Sequence, residues 1–158
     1  MNSLIQEAKI VSMLTPLSRS SAASGDYVSM ENYDKLTIIL DVGAVTAGGN
    51  VFVQKAKTAA GGSAAKMANI DYFYKRTAST DTYTKTATTA ASSADAIVIG
   101  NSSDNKTFVV EINAAQLGAS YPFVNLLVPG AFSAAVTCAI AIAHKARYAQ
   151  AAPPTALS

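Results

Sequence analysis

The chain has 158 residues, half of them hydrophobic and 14% charged, with a formal net charge of +2. Ala, Ser and Thr fill 61 positions, 31 of them Ala, and there is one Cys and one His. That length suits one domain whose core needs no staples, the low charge excludes an electrostatic nucleic-acid binder, and the lone Cys and His exclude a disulfide framework or a zinc cluster within one chain.

From the N-terminus, Gln6, Glu7 and Lys9 interrupt the first apolar residues. A secretory signal needs a basic start and an unbroken apolar core, so none is expected and synthesis in a cytoplasm is. Residues 5–14 and 26–30 are weak strand candidates. Leu36, Ile38, Leu40 and Val42 then alternate with Thr37, Ile39 and Asp41 until Gly43 ends the run. Such a period of two predicts a strand with one buried face. Val51 to Lys55 follows the Gly48-Gly49-Asn50 turn signal and predicts another strand. Ala60 to Lys66 has the flavour of a phosphate loop, but Ala65 and Met67 flank the Lys and the GxxxxGK[ST] pattern fails. A strand-connecting turn explains it better.

Ile70, Tyr72 and Tyr74 alternate with Asp71, Phe73 and Lys75, while residues 77–93 are Thr/Ala/Ser-rich and fit either an exposed hairpin or a loop. Ala96 to Ile99 is a short β-branched run, and Phe108, Val110 and Ile112 alternate with Thr107, Val109 and Glu111. Ala114 to Leu117, before Gly118, has room for one helical turn. Tyr121 to Val128 is apolar and stops at Pro129-Gly130.

Residues 132–148 carry the strongest local signal. Phe132, Val136, Cys138, Ile140, Ile142 and Tyr148 fall on even positions; the odd ones carry Ser133, Thr137, Ala139, Ala141 and Ala143. Alanine favours helix, and Phe132, Val136 and Ile140 also share a helical spacing, so helix is the competing reading. The length of the alternation favours a long strand whose Ala face lies close against something. The same alternation, with Pro129 and Gly130, speaks against a membrane span from 126 to 143.

Eight or nine strands with little room for helix predict an all-β fold: a β-sandwich or jelly-roll-like single domain with extended terminal arms. The expected organisation is an N-terminal arm or edge strand at 1–20, the sandwich at 21–148 and an extended C-terminal arm at 149–158, where Pro153 and Pro154 prevent continuation of a sheet.

Chemistry is sparse. His144 and Cys138 read as a core or interface histidine and a small buried thiol, with neither a second ligand nor an activating partner nearby in sequence. Asn101, Asp104 and Asn105 form a polar turn without the EF-hand spacing, and the two glycosylation sequons at Asn101 and Asn105 fit chance in a Ser/Thr-rich chain. No catalytic residue, cofactor site or metal site is expected.

Met13-Leu14-Thr15-Pro16, Gly25-Asp26-Tyr27-Val28-Ser29-Met30 and the run from Tyr33 to Gly43 resemble small virion structural proteins of tailed bacteriophages and their prophages. The similarity continues through Val51 to Lys57, Phe108 to Ile112, Ala146-Arg147-Tyr148 and Pro153-Pro154, covering most of the chain. The resemblance implies a non-enzymatic capsid decoration or auxiliary protein, made in the bacterial host cytoplasm and located in the virion. Its partners would be the major capsid protein and further copies of itself, as trimer or dimer, with no nucleic-acid or membrane role. Residues 1–20 and 148–158 are then the expected interface, with Leu4, Ile5, Tyr148, Pro153 and Pro154 as candidate contacts. Two alternatives stay open: a neck, tail or baseplate position, and a carbohydrate-binding module that uses Tyr72, Tyr74 or Tyr83 as a sugar platform.

Overall fold

Leu36, Ile38, Leu40 and Val42 all point to one side of strand β4 (Tyr33–Val42), and each is at most 1% exposed. A period of two forces that outcome once one face of a sheet is covered. In this computed structural model, which describes residues 8–18, 21–77, 82–91, 94–101, 106–128 and 136–146, the covering layer is a second sheet.

The chain order is β1 (Lys9–Ser18), the short β2 (Ala23–Ser24) and β3 (Val28–Ser29), β4, β5 (Gly49–Ala56), the short β6 (Ala65–Lys66), and β7 (Tyr72–Thr77). There follow β8 (Tyr83–Ala87), β9 (Thr89–Ala91), β10 (Ala94–Ile99), β11 (Lys106–Asn113), the one-turn helix α1 (Ala114–Leu117), β12 (Phe123–Val128) and β13 (Val136–Ala146). One sheet has six strands in the order β1-β13-β4-β11-β7-β8. The other has the path β2-β12-β5-β10-β9, with β3 added to β12 and β6 to β5. Every pairing is antiparallel. The protein is an all-β sandwich.

The core lies between the sheets. Phe108, Val110 and Ile112 of β11 join the β4 residues from one side; Val51, Val53, Ile97, Val124 and Leu126 meet them from the other. Each such side chain removed from water contributes about 1.5–3 kcal/mol before the entropy of ordering it is counted. Gly25 ties the layers together. Its N–H donates to Leu126 of β12 (2.8 Å), and the next N–H, of Asp26, donates to Met13 of β1 (2.9 Å). A Cβ at Gly25 would stand 2.8 Å from the Met13 carbonyl oxygen, so only glycine lets the backbones approach this closely.

Several local expectations hold. Residues 60–64 lie in the turn between β5 and β6, and Tyr83–Ala87 of the Thr-rich stretch pairs with β7 as strand β8. Ala114–Leu117 makes its single turn: Gln116 accepts from the Asn113 N–H (2.7 Å) and exchanges two hydrogen bonds with Asn69. Part of the N-terminal segment, Lys9–Ser18, is an edge strand. Residues 132–135 and 147–158 lie outside the described residues, as do 1–7 and Asp104 and Asn105.

In β13 the small residues face inward. Ala139, Ala141 and Ala143 are at most 1% exposed, whereas Ile140 is 43% and Val136 52% exposed. The alanines leave space that Val11, Leu14 and the β4 side chains fill from neighbouring strands. Ala141→Leu is therefore expected to lower stability by about 1–3 kcal/mol, read by urea or thermal unfolding. Ile140→Thr, one residue away, should change the stability of dilute protein by no more than about 0.5 kcal/mol.

Candidate interaction surfaces

The outer face of the six-stranded sheet is built by the positions that the core does not use. Register places Ile140 of β13 beside Ile39 of β4, and Ile39 beside Val109 of β11. Val109 in turn pairs with Tyr74 of β7. On the opposite side of β13, Ile10 of β1 faces Ile142. The result is an apolar band crossing five strands, flanked by Lys35, Asp41, Glu111, Arg76 and Lys85.

Cys138 and His144 both lie on this face, half-buried, and not in the core. His144 Nε2 and Thr37 Oγ1 share a hydrogen bond of 3.0 Å across the β13–β4 pair. Cys138 sits opposite Asp41, whose carboxylate accepts a hydrogen bond from Thr107 Oγ1 at 2.7 Å. Burial pushes the Cys138 thiol above its ordinary range, and the Asp41 charge pushes the same way. Both effects suppress the thiolate, which is the opposite of what a nucleophile needs. No group of three or more His, Cys, Asp or Glu able to hold a metal occurs among the described residues.

At the tyrosine end, Tyr72 and Tyr74 meet edge to face, with ring centroids 5.6 Å apart. Lys85 Nζ stands 3.7 Å from the Tyr72 ring centroid. A sugar platform needs an open ring face, and on Tyr72 the ammonium takes that place. Tyr83, on the edge strand β8, is exposed.

A cleft of about 730 Å³ opens at the sandwich end formed by the start of β4, the end of β13 and α1, with Glu31, Asp34, Lys35, Lys145, Tyr121 and Leu117 among its walls. Its charges are mixed. Lys55 donates to the Leu117 carbonyl at 2.8 Å and lies 4.9 Å from the Tyr121 ring centroid, which fixes one wall. The same end carries both ends of the described fold. Lys9 opens β1 opposite Ala143, and Ala146 closes β13 opposite Tyr33. Lys9 faces inward, 8% exposed, and burial lowers its pKa because the ammonium loses water there. The predicted contacts Leu4, Ile5, Tyr148, Pro153 and Pro154 lie outside the described residues. The apolar band was missed as a surface, although its β13 members Ile140 and Ile142 were visible as even positions of 136–144.

These features define an antiparallel β-sandwich with an apolar sheet face that no described residue covers, and no helix long and apolar enough to cross a membrane among the described residues. No family model matches the sequence, and no curated protein matches it. Among solved structures, the chain is similar to the SPBc2 prophage-derived protein YomS, at 13% identity and a TM-score of 0.48. That likeness covers 91% of this chain and 100% of the other.

The Cys138 environment makes a direct prediction. Asp41→Asn removes a charge that opposes the thiolate, so maleimide labelling of dilute protein should become faster at neutral pH. Its pH–rate profile should move to lower pH, because the folded-state thiol pKa falls when the anion is removed.

Proposed function

We propose that this protein is a structural component of a bacteriophage virion that decorates and stabilises the capsid by binding the major capsid protein. The reading starts from the resemblance of Met13 to Pro16, Gly25 to Gly43 and Phe108 to Ile112 to small phage virion proteins. The observation that carries it is the shared corner. Residues 1–7 and 147–158, the expected arms, join the sandwich at neighbouring positions on the adjacent strands β1 and β13. A domain with both arms leaving one corner can direct them to the same neighbouring subunits.

Decoration works by linkage. A protein that binds the assembled shell and not its separated subunits stabilises the shell by its binding free energy. Many identical sites on one particle turn modest contacts into strong retention, because each bound arm raises the effective concentration of the next. Proline in the C-terminal segment reduces the entropy lost on docking. An Ala/Ser/Thr-rich surface of low charge limits repulsion between closely spaced copies.

Quantitative mass spectrometry of purified particles that contain this chain tests the reading. Hundreds of copies relative to the major capsid protein are expected. A count on the order of ten would overturn decoration in favour of a ring position in the neck or tail, and absence from intact particles would overturn the virion role. Deletion of residues 149–158 should release the protein from particles while leaving the sandwich folded by circular dichroism.

A further inference from the structure

The two outer faces of the sandwich are finished differently. On the seven-stranded sheet, Phe52 points outward yet is 4% exposed, because Lys66 lies across its ring at 3.9 Å and Ala94, Ala96 and Leu127 pack beside it. Asn125, also outward, is fully buried and donates to Ser24 Oγ (2.5 Å) and the Gly25 carbonyl (3.2 Å). The six-stranded sheet has no such cover over its band among the described residues. Ile10, Ile140 and Val136 are 41%, 43% and 52% exposed there, whereas on the seven-stranded sheet Val98 stands singly at 43%. A contiguous apolar patch of this kind on a sheet marks a macromolecular contact.

We propose that this face is an isologous homodimer interface, in which the band centred on Ile140, Ile39 and Val109 packs face to face against the same band of a second copy.

The available area fits one partner of the same size. Strands β1, β13, β4 and β11 span about 19 Å at roughly 4.8 Å per strand, and residues 34 to 42 of β4 extend about 27 Å along it. That footprint is about 500 Å² per copy, and about 800 Å² when β7 and β8 are included. Two such faces bury about 1,000–1,600 Å² in total, which reaches the range of specific, stable interfaces. Sheets stack readily in this way, about 10 Å apart and rotated by about 30°.

The charges suit a second copy better than a charged partner. Lys35, Arg76 and Lys85 stand against Asp41 and Glu111 on the same face, so there is no single-sign field to attract a polyanion. Glu111 lies on one side of the central row, opposite Thr37, and Arg76 on the other, opposite Thr107. A twofold axis along that row sets Glu111 of each copy over Thr107 of its mate, with Arg76 on one neighbouring strand and Asp41 on the other, so these charges offset and the pairing rests on apolar area.

Association through the sheet edge is the rival geometry, and β1 is poorly made for it. Its pairing breaks register between Ser12 and Leu14 and again between Leu14 and Leu17, and Pro16 removes a backbone donor. Breaks and prolines of this kind blunt an edge against pairing.

The inference concerns the isolated protein, so solution mass tests it while particle stoichiometry tests the virion reading separately. Sedimentation velocity across nanomolar to high-micromolar concentration should show twice the 16.3 kDa chain mass at the upper end. Ile140→Lys should weaken association by more than about tenfold while far-UV circular dichroism stays unchanged. Should that variant fail to fold, Ile39→Thr combined with Ile140→Thr reads the same surface. Maleimide labelling of Cys138 should be protected at high concentration and released by dilution or by either variant. A wild type that is monomeric throughout overturns the proposal, as does a trimer or a dimer that Ile140→Lys leaves intact. Protection of Cys138 in a monomer, lifted by deleting residues 147–158, would show the chain's own tail on this face and would also overturn it.

Discussion

The close approach of β13 to the core through alanine is the constraint on which the rest of the architecture depends. Ala139, Ala141 and Ala143 bring their strand between β1 and β4 without filling the interior that Leu36, Ile38 and Leu40 already occupy. Side chains in a strand alternate strictly, so the small inward face fixes the destination of every large one. Val136, Ile140 and Ile142 have nowhere to go but out. The exposed apolar band is thus a direct consequence of how the core is packed. A slip of one residue in β13 would place isoleucine in the interior and alanine outside, costing overpacking on one side and removing the band on the other.

The same logic explains what was legible in the sequence. Strands β4, β11 and β13 announce themselves because each alternates over at least five residues, enough for a period of two to stand out. The close-packed alanine face of β13 was readable for that reason. Strands β2, β3 and β6 have two residues each and form through their partners β12 and β5, so local pattern leaves β2 and β6 unmarked and gives β3 only the weak candidate at 26–30. The hairpin of β7 and β8 stayed ambiguous because Thr82 to Thr86 is polar on both faces. It is held by pairing with β7 and by Lys85 over Tyr72.

The candidate site was legible only in pieces. Cys138 and His144 were visible on the large-residue face of β13, but a single strand does not reveal whether that face is covered. The answer lies in Ile39, Val109 and Ile10, which come from three other strands and meet Ile140 and Ile142 through register alone. Cross-strand rows of this kind are set by tertiary pairing, and one strand's periodicity carries no trace of its neighbours' outward residues.

Two surfaces of different character therefore sit on one small sandwich. The corner where β1 begins and β13 ends brings the two ends of the described fold together; the flat face of the same sheet offers shape and apolar area. Segments gain retention from repetition across a lattice, since each is weak and the copies act together. A flat face gains strength from area in a single contact. The alanine packing of β13 thus links the stability of the domain to the surface it presents, because the packing that buries alanine is the packing that turns isoleucine outward.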